Sequence, residues 1–146
     1  MQERARPMID HMQLATFRQS LPESQRYEIH RFFVVRWDVV KARFLTRDGR
    51  KPHTLNVAKF AKAYGLHSPQ TVDSPIYIDT TLAMSAAIDP DIPVIVALIA
   101  REQEGAKPTP HLLDGYSRLY KAYREERIDI PCYALTPEEE QACRIL

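Results

Sequence analysis

The chain has 146 residues, 45% of them hydrophobic and 27% charged, with a formal net charge of +1. That length suits one compact fold, and the composition excludes a disordered chain; 11 Pro and 4 Gly without a period of three exclude a collagen-like one. The longest apolar run, Ile92 to Ala100, covers nine residues, far short of the roughly 20 a membrane-spanning helix needs. Met1-Gln-Glu-Arg-Ala-Arg-Pro7 leads into no apolar signal-peptide stretch, so a soluble, cytoplasmic protein with no membrane partner is expected.

Charge is unevenly spread. Residues 1–70 hold 13 Lys and Arg against 6 Asp and Glu, a balance of +7, whereas residues 71–146 hold 7 against 13, a balance of −6. Such asymmetry fits a polyanion-binding half, two complementary faces of one domain, or self-association through the basic and acidic halves. Arg43, Arg47, Arg50 and Lys51 are the candidate nucleic-acid contacts, although no aromatic-and-basic recognition motif accompanies them. Cys132 and Cys143 make no disulfide framework and read as small hydrophobes. His11, His30, His53, His67 and His111 show no metal-ligand spacing, so no metal site is assigned.

In chain order, Ile9, Met12, Leu14, Phe17 and Leu21 recur at helical intervals and predict an amphipathic helix over 8–21, ended by Pro22. From Tyr27 to Leu45 strand formers such as Phe32-Phe-Val-Val35 coexist with a spacing that also allows a helix, and both readings stand. The Asp48-Gly49 turn signal predicts a β-hairpin between Ala42–Leu45 and His53–Val57. Val57, Phe60, Ala61 and Tyr64 predict a helix with Gly65 at its C-cap. Ser74–Ile78 reads as a short strand and Leu82–Ile88 as a helix capped by Asp79, Thr80 or Thr81. The continuous apolar run Val94–Ile99 reads as a strand covered on both faces. After a polar connection over 101–110, His111–Leu113 gives a strand, 116–127 a helix and 128–135 a strand. Thr136-Pro-Glu-Glu139 opens a last helix, with Thr as N-cap and Pro at the first helical position. The expected class is α+β, a small mixed sheet with packed helices. A basic helical and hairpin extension over 1–73 precedes a core over 74–146.

Chemistry concentrates at Leu113-Asp-Gly-Tyr-Ser-Arg118. A strand running straight into a helix through Asp114-Gly115 leaves the first N–H groups of that helix pointing outward, and these donors with the helix dipole suit an anion. Gly115 allows close approach, Ser117 offers a hydroxyl, and Arg118 a planar fork of donors. The plainer alternative is a turn capped by Asp114 with Arg118 solvated.

Leu113-Asp-Gly-Tyr-Ser-Arg-Leu-Tyr-Lys-Ala122, followed by Ile130-Pro-Cys-Tyr-Ala-Leu135, resembles the core of the ParB/sulfiredoxin superfamily. That core has a strand ending in (D)G-x-x-R, a helix with R-x-x-A, then a strand opening I-P. Ile92–Ile99 is similar to its hairpin strand and Ile76–Ile78 to its entry, so the resemblance covers residues 74–146. It implies phosphate contact by Gly115, Tyr116, Ser117 and Arg118. Asp114 becomes the candidate catalytic carboxylate, as general base or facing a metal, with helix capping as the competing role. Tyr116 and Ser117 stand where sulfiredoxins carry the reactive Cys of G-C-H-R, and where partitioning proteins carry G-E-R-R. Sulfinic acid reduction and a CTP switch are therefore not expected. What remains resembles small stand-alone members, some plasmid- or phage-borne, described as nucleases or ATPases. The partner expected is a nucleotide or DNA. The cofactors that a hydrolase reading entails are magnesium and a nucleoside triphosphate, against the alternative of a non-catalytic nucleotide- or DNA-binding module.

Overall fold

A computed structural model describes residues 9–32, 34–69, 74, 76–99 and 109–145. The protein is a mixed α+β fold, as the element order predicts. Among the described residues, a two-stranded sheet joins β1 (Ile29–Phe32) to β2 (Val35–Asp38). A four-stranded sheet has the order β3-β6-β4-β5, with β3 at His53–Asn56, β4 at Val94–Ile99, β5 at Thr109–Asp114 and β6 at Asp129–Leu135. The helices are α1 (His11–Ser20), α2 (Val39–Leu45), α3 (Val57–Ala63), α4 (Thr80–Ala83), α5 (Tyr116–Arg124) and α6 (Pro137–Cys143). No helix of the described residues is long and apolar enough to cross a membrane.

Two compact units can be separated. One takes the described residues of 1–51, 95–114 and 134–146, the other those of 52–94 and 115–133. Both draw on segments from either side of residue 73.

In the first unit, Asp10 opens α1 by accepting from the amides of Met12 and Gln13. Of the apolar positions on α1 itself only Leu14 is buried, while Met12 is exposed and Phe17 sets its ring edge-on to Phe44. The ambiguous stretch 27–45 resolves into both alternatives in succession, a hairpin with Ile29 opposite Asp38 and then a helix. Asp38 makes the switch, since its side chain accepts from the Lys41 amide and starts α2. Trp37, Ala42, Ile95, Ala97, Leu113, Leu135 and Cys143 form the core of this unit.

The predicted hairpin between Ala42–Leu45 and His53–Val57 does not form. Ala42–Leu45 is helical, because Asp38 caps it and Val39, Val40, Ala42 and Phe44 are all buried on it. Asp48-Gly49 ends a 3-10 turn, Gly49 taking φ +80°, so the dipeptide stops a helix instead of turning a hairpin. His53–Asn56 pairs antiparallel with β6, Leu55 opposite Ile130.

In the second unit α3 ends as predicted, with Gly65 at φ +69° just beyond its cap Tyr64. The strand expected at Ser74–Ile78 is absent among the described residues; Ile78 is buried there, but the chain bends towards the Asp79 cap of α4. Helix α4 stops at Ala83, well before Ile88; beyond it the Ser85 and Ile88 amides donate to carbonyls three residues back, and Lys121 Nζ donates to the Ser85 and Ile88 carbonyls at 2.9 and 2.8 Å. The predicted connection over 101–110 lies outside the described residues except for Thr109 and Pro110, which belong to β5.

Strands β4 and β5 pair antiparallel, with Val96 opposite Leu112 and Ile95 opposite Asp114. Leu113 is thus the extra residue of a bulge, a device that re-aims the side chains beside it. Helix α6 opens on a full capping box, in which the Thr136 hydroxyl accepts from the Glu139 amide and the Glu139 carboxylate accepts from the Thr136 amide. Replacing Thr136 by Ala removes the first of these bonds and should cost about 1 kcal/mol in urea unfolding, with an unchanged dependence on denaturant.

Candidate functional site

The strand-to-helix turn is built from two separate sets of bonds. On the strand side, Asp114 is buried and both its oxygens accept from Arg43 of α2, Oδ2 from Nε and Oδ1 from Nη2, each at 2.9 Å. The same Nη2 donates to Glu28 at 2.7 Å. These two carboxylates raise the Arg43 guanidinium above its usual pKa even though burial, the largest influence on it, works the other way. The side chain of Asp114 therefore caps no helix: α5 has Gly115 as N-cap and no side-chain cap at all.

On the helix side, Gly115 adopts φ +112°, and a Cβ there would lie 2.3 Å from Val94 Cγ1. No other residue fits without displacing Val94. The Arg118 guanidinium carbon lies 3.3 Å from the same point, so the charge sits over the glycine at the start of α5. Arg118 Nη1 is tied there by donating to the Pro93 carbonyl at 2.6 Å and the Ile92 carbonyl at 3.1 Å. Ser117 is half-buried. The Tyr116 ring turns to Tyr64, edge-on with centroids 5.1 Å apart, and burial with the Tyr64 contact pushes its phenol far above the usual pKa. Arg127 pairs with Asp91, so α5 and the turn after it hold the 85–93 segment at three places.

The four candidate nucleic-acid cations have different fates. Arg43 is bound to Asp114 and Glu28. Arg50 is bound to Glu139 at 2.6 Å and Asp48 at 2.8 Å, and it also donates to the Ala134 and Leu45 carbonyls. Arg47 lies over the Phe44 ring, its guanidinium carbon 4.1 Å from the centroid, and is exposed, as is Lys51. Two of the four thus serve as exposed cations.

A carboxylate ligand for magnesium at this turn would have to come from Asp114, whose two oxygens both accept from Arg43. Among the described residues no group of three or more His, Cys, Asp and Glu is placed to hold a metal ion. Cys132 and Cys143 are unbridged and buried, and burial pushes both thiols up, Cys143 to about 12.

One cluster escaped the sequence reading. His30 of β1 and His111 of β5 bring their Nε2 atoms to 2.9 Å, between the rings of Trp37 and Phe32. The two residues are 81 positions apart, and no spacing rule could join them.

Comparison with protein-family models, with curated proteins and with solved structures finds no match to this chain.

The Arg43–Asp114 pair gives a direct test. Removing Arg43 strands a buried carboxylate, so Arg43→Ala should destabilise by about 3 kcal/mol. In a double-mutant cycle with Asp114→Ala, urea unfolding should show a coupling of more than about 1 kcal/mol, whereas additive losses would mean the pair adds nothing.

Proposed function

We propose that this chain is a ParB/sulfiredoxin-like protein that binds a nucleotide or nucleic-acid phosphate at Gly115–Arg118. The observation that carries the reading is the Arg118 guanidinium held over Gly115, beside a nine-residue helix whose N-terminus has no side-chain cap. A phosphate there would meet the amides of the first turn, the positive end of the helix dipole and the guanidinium together. Gly115 admits the anion to the backbone, and the Ser117 hydroxyl is a further donor. The order β5, α5, β6 around the turn is the order of elements that the family motif requires.

The role proposed is binding. Asp114 receives no proton-transfer role, since Arg43 holds both of its oxygens, and a nuclease or NTPase would have to free that carboxylate first. Nor does the reading use the 43–51 cations, two of which are committed to ion pairs.

Titration with ATP, CTP, GTP and short DNA, beside melting curves, tests the assignment. A charge-assisted hydrogen bond contributes on the order of 1.5–3 kcal/mol, so Arg118→Ala should weaken the bound phosphate ligand about 10- to 100-fold. The variant should also melt lower, because it loses both bonds to the 92–93 carbonyls. A lower melting temperature with unaltered affinity would reduce Arg118 to a clamp on that segment and sink the phosphate site.

A further inference from the structure

We propose that the contact between His30 and His111 is a proton-operated latch, which holds the β1 side of the hairpin against β5 near neutrality and releases it in acid. The inference is independent of the phosphate site. Facing Nε2 atoms 2.9 Å apart require one ring to donate its N–H and the other to accept on a lone pair. A single proton more can still be shared between them. Two protons more leave donor facing donor and charge facing charge.

The surroundings favour the neutral pair. Trp37 stacks on His30 with ring planes 15° apart, Phe32 lies 4.4 Å from the His111 ring, and Trp37 also packs on His111. Asp114, at the end of β5, is the carboxylate that favours a proton on His30, but Arg43 of α2 binds it on both oxygens and is itself bound to Glu28. From α6, Glu140 accepts the Trp37 indole N–H at 3.4 Å and pairs with Arg144. Burial outweighs the attraction of Asp114 at His30, and at His111 the charge of His30 adds to burial, so both imidazoles are lowered from 6.5 to about 4. Among the described residues no group of three or more His, Cys, Asp and Glu is placed to hold a metal ion.

The sign follows from linkage. A histidine released to solvent titrates near its ordinary 6.5, while in the latch it stays neutral down to about 4. Above the higher value both states are neutral and the latch is at full strength. Between the two values only the released form takes up protons, so the latch weakens as pH falls, on the order of a hundredfold for each proton taken up. The hairpin is suited to local release, because a two-stranded sheet has little stability of its own. The β2 side stays anchored by the Trp37–Arg144 bridge and by the Ile145 amide donating to the Arg36 carbonyl at 2.9 Å.

The chain's single tryptophan, Trp37, is a built-in reporter, since it touches both rings. Its emission should be followed from pH 7.5 to pH 4 together with hydrogen exchange of the 29–32 amides, corrected for the intrinsic pH dependence of exchange. Wild type should show a transition between about 6.5 and about 4, with protection of 29–32 falling on the order of a hundredfold or more while α5 and α6 keep theirs. His111→Phe leaves His30 alone to titrate and should reduce the transition to a shallower, one-proton one. If that variant does not fold, His30→Gln retains a donor to His111 and should leave a shallower, one-proton transition. Flat protection in wild type, loss of protection throughout the chain at one pH, or an unchanged transition in the variant that folds would each overturn the latch.

Discussion

The first unit depends on how a buried carboxylate at the end of a strand is neutralised. The bulge at Leu113 sets Asp114 opposite Ile95 and below the surface, where an unpaired charge is not tolerated. Arg43 answers it with two donors, and a guanidinium can do so because its planar fork matches a carboxylate. That requirement fixes α2 relative to the end of β5 and brings Glu28, just ahead of β1, to the same guanidinium. A pair like this adds little net stability over a well-packed apolar alternative, since both ions leave water. Its contribution is geometric: few arrangements of α2 and β5 leave neither charge stranded.

Elements governed by local chemistry were legible in the sequence. Strand β4 follows from six consecutive apolar residues, α6 from Thr136-Pro137 with Glu139 three residues on from the cap, and the end of α3 from Gly65. Each signal is complete within a few positions. The failed hairpin at 42–57 shows where such reading breaks. Asp-Gly satisfies a hairpin turn and a left-handed helix stop equally well, and the choice lay with the partner of β3. That partner is β6, 73 residues away between Asn56 and Asp129 at their nearest in sequence, which no local pattern reveals. Similarly, nothing within Leu82–Ile88 announces that a lysine of α5 will bind the Ser85 and Ile88 carbonyls.

The site divides along the same line. Gly115 and Arg118 were visible as neighbours because they lie within one turn of helix. The partner of Asp114 was not, being 71 positions away, and its absence made the carboxylate look available. The charge asymmetry had a similar resolution. Arg43 pairs with Asp114 and Arg50 with Glu139, so basic residues of the N-terminal half meet acidic residues of the C-terminal half inside one unit. Part of the +7 and −6 imbalance is thus internal complementarity, one of the three readings the sequence allowed.

Arg118 puts local and tertiary demands on a single side chain. A guanidinium at the start of a helix is opposed by the dipole, and the sequence alone offered an anion as the natural compensation. The carbonyls of Ile92 and Pro93 supply compensation from the protein itself, by presenting partial negative charge to Nη1. Binding an anion at this point would therefore build on a guanidinium already placed, without the entropy of ordering a mobile arginine. An anion bound there would share this guanidinium with the carbonyls of residues 92 and 93.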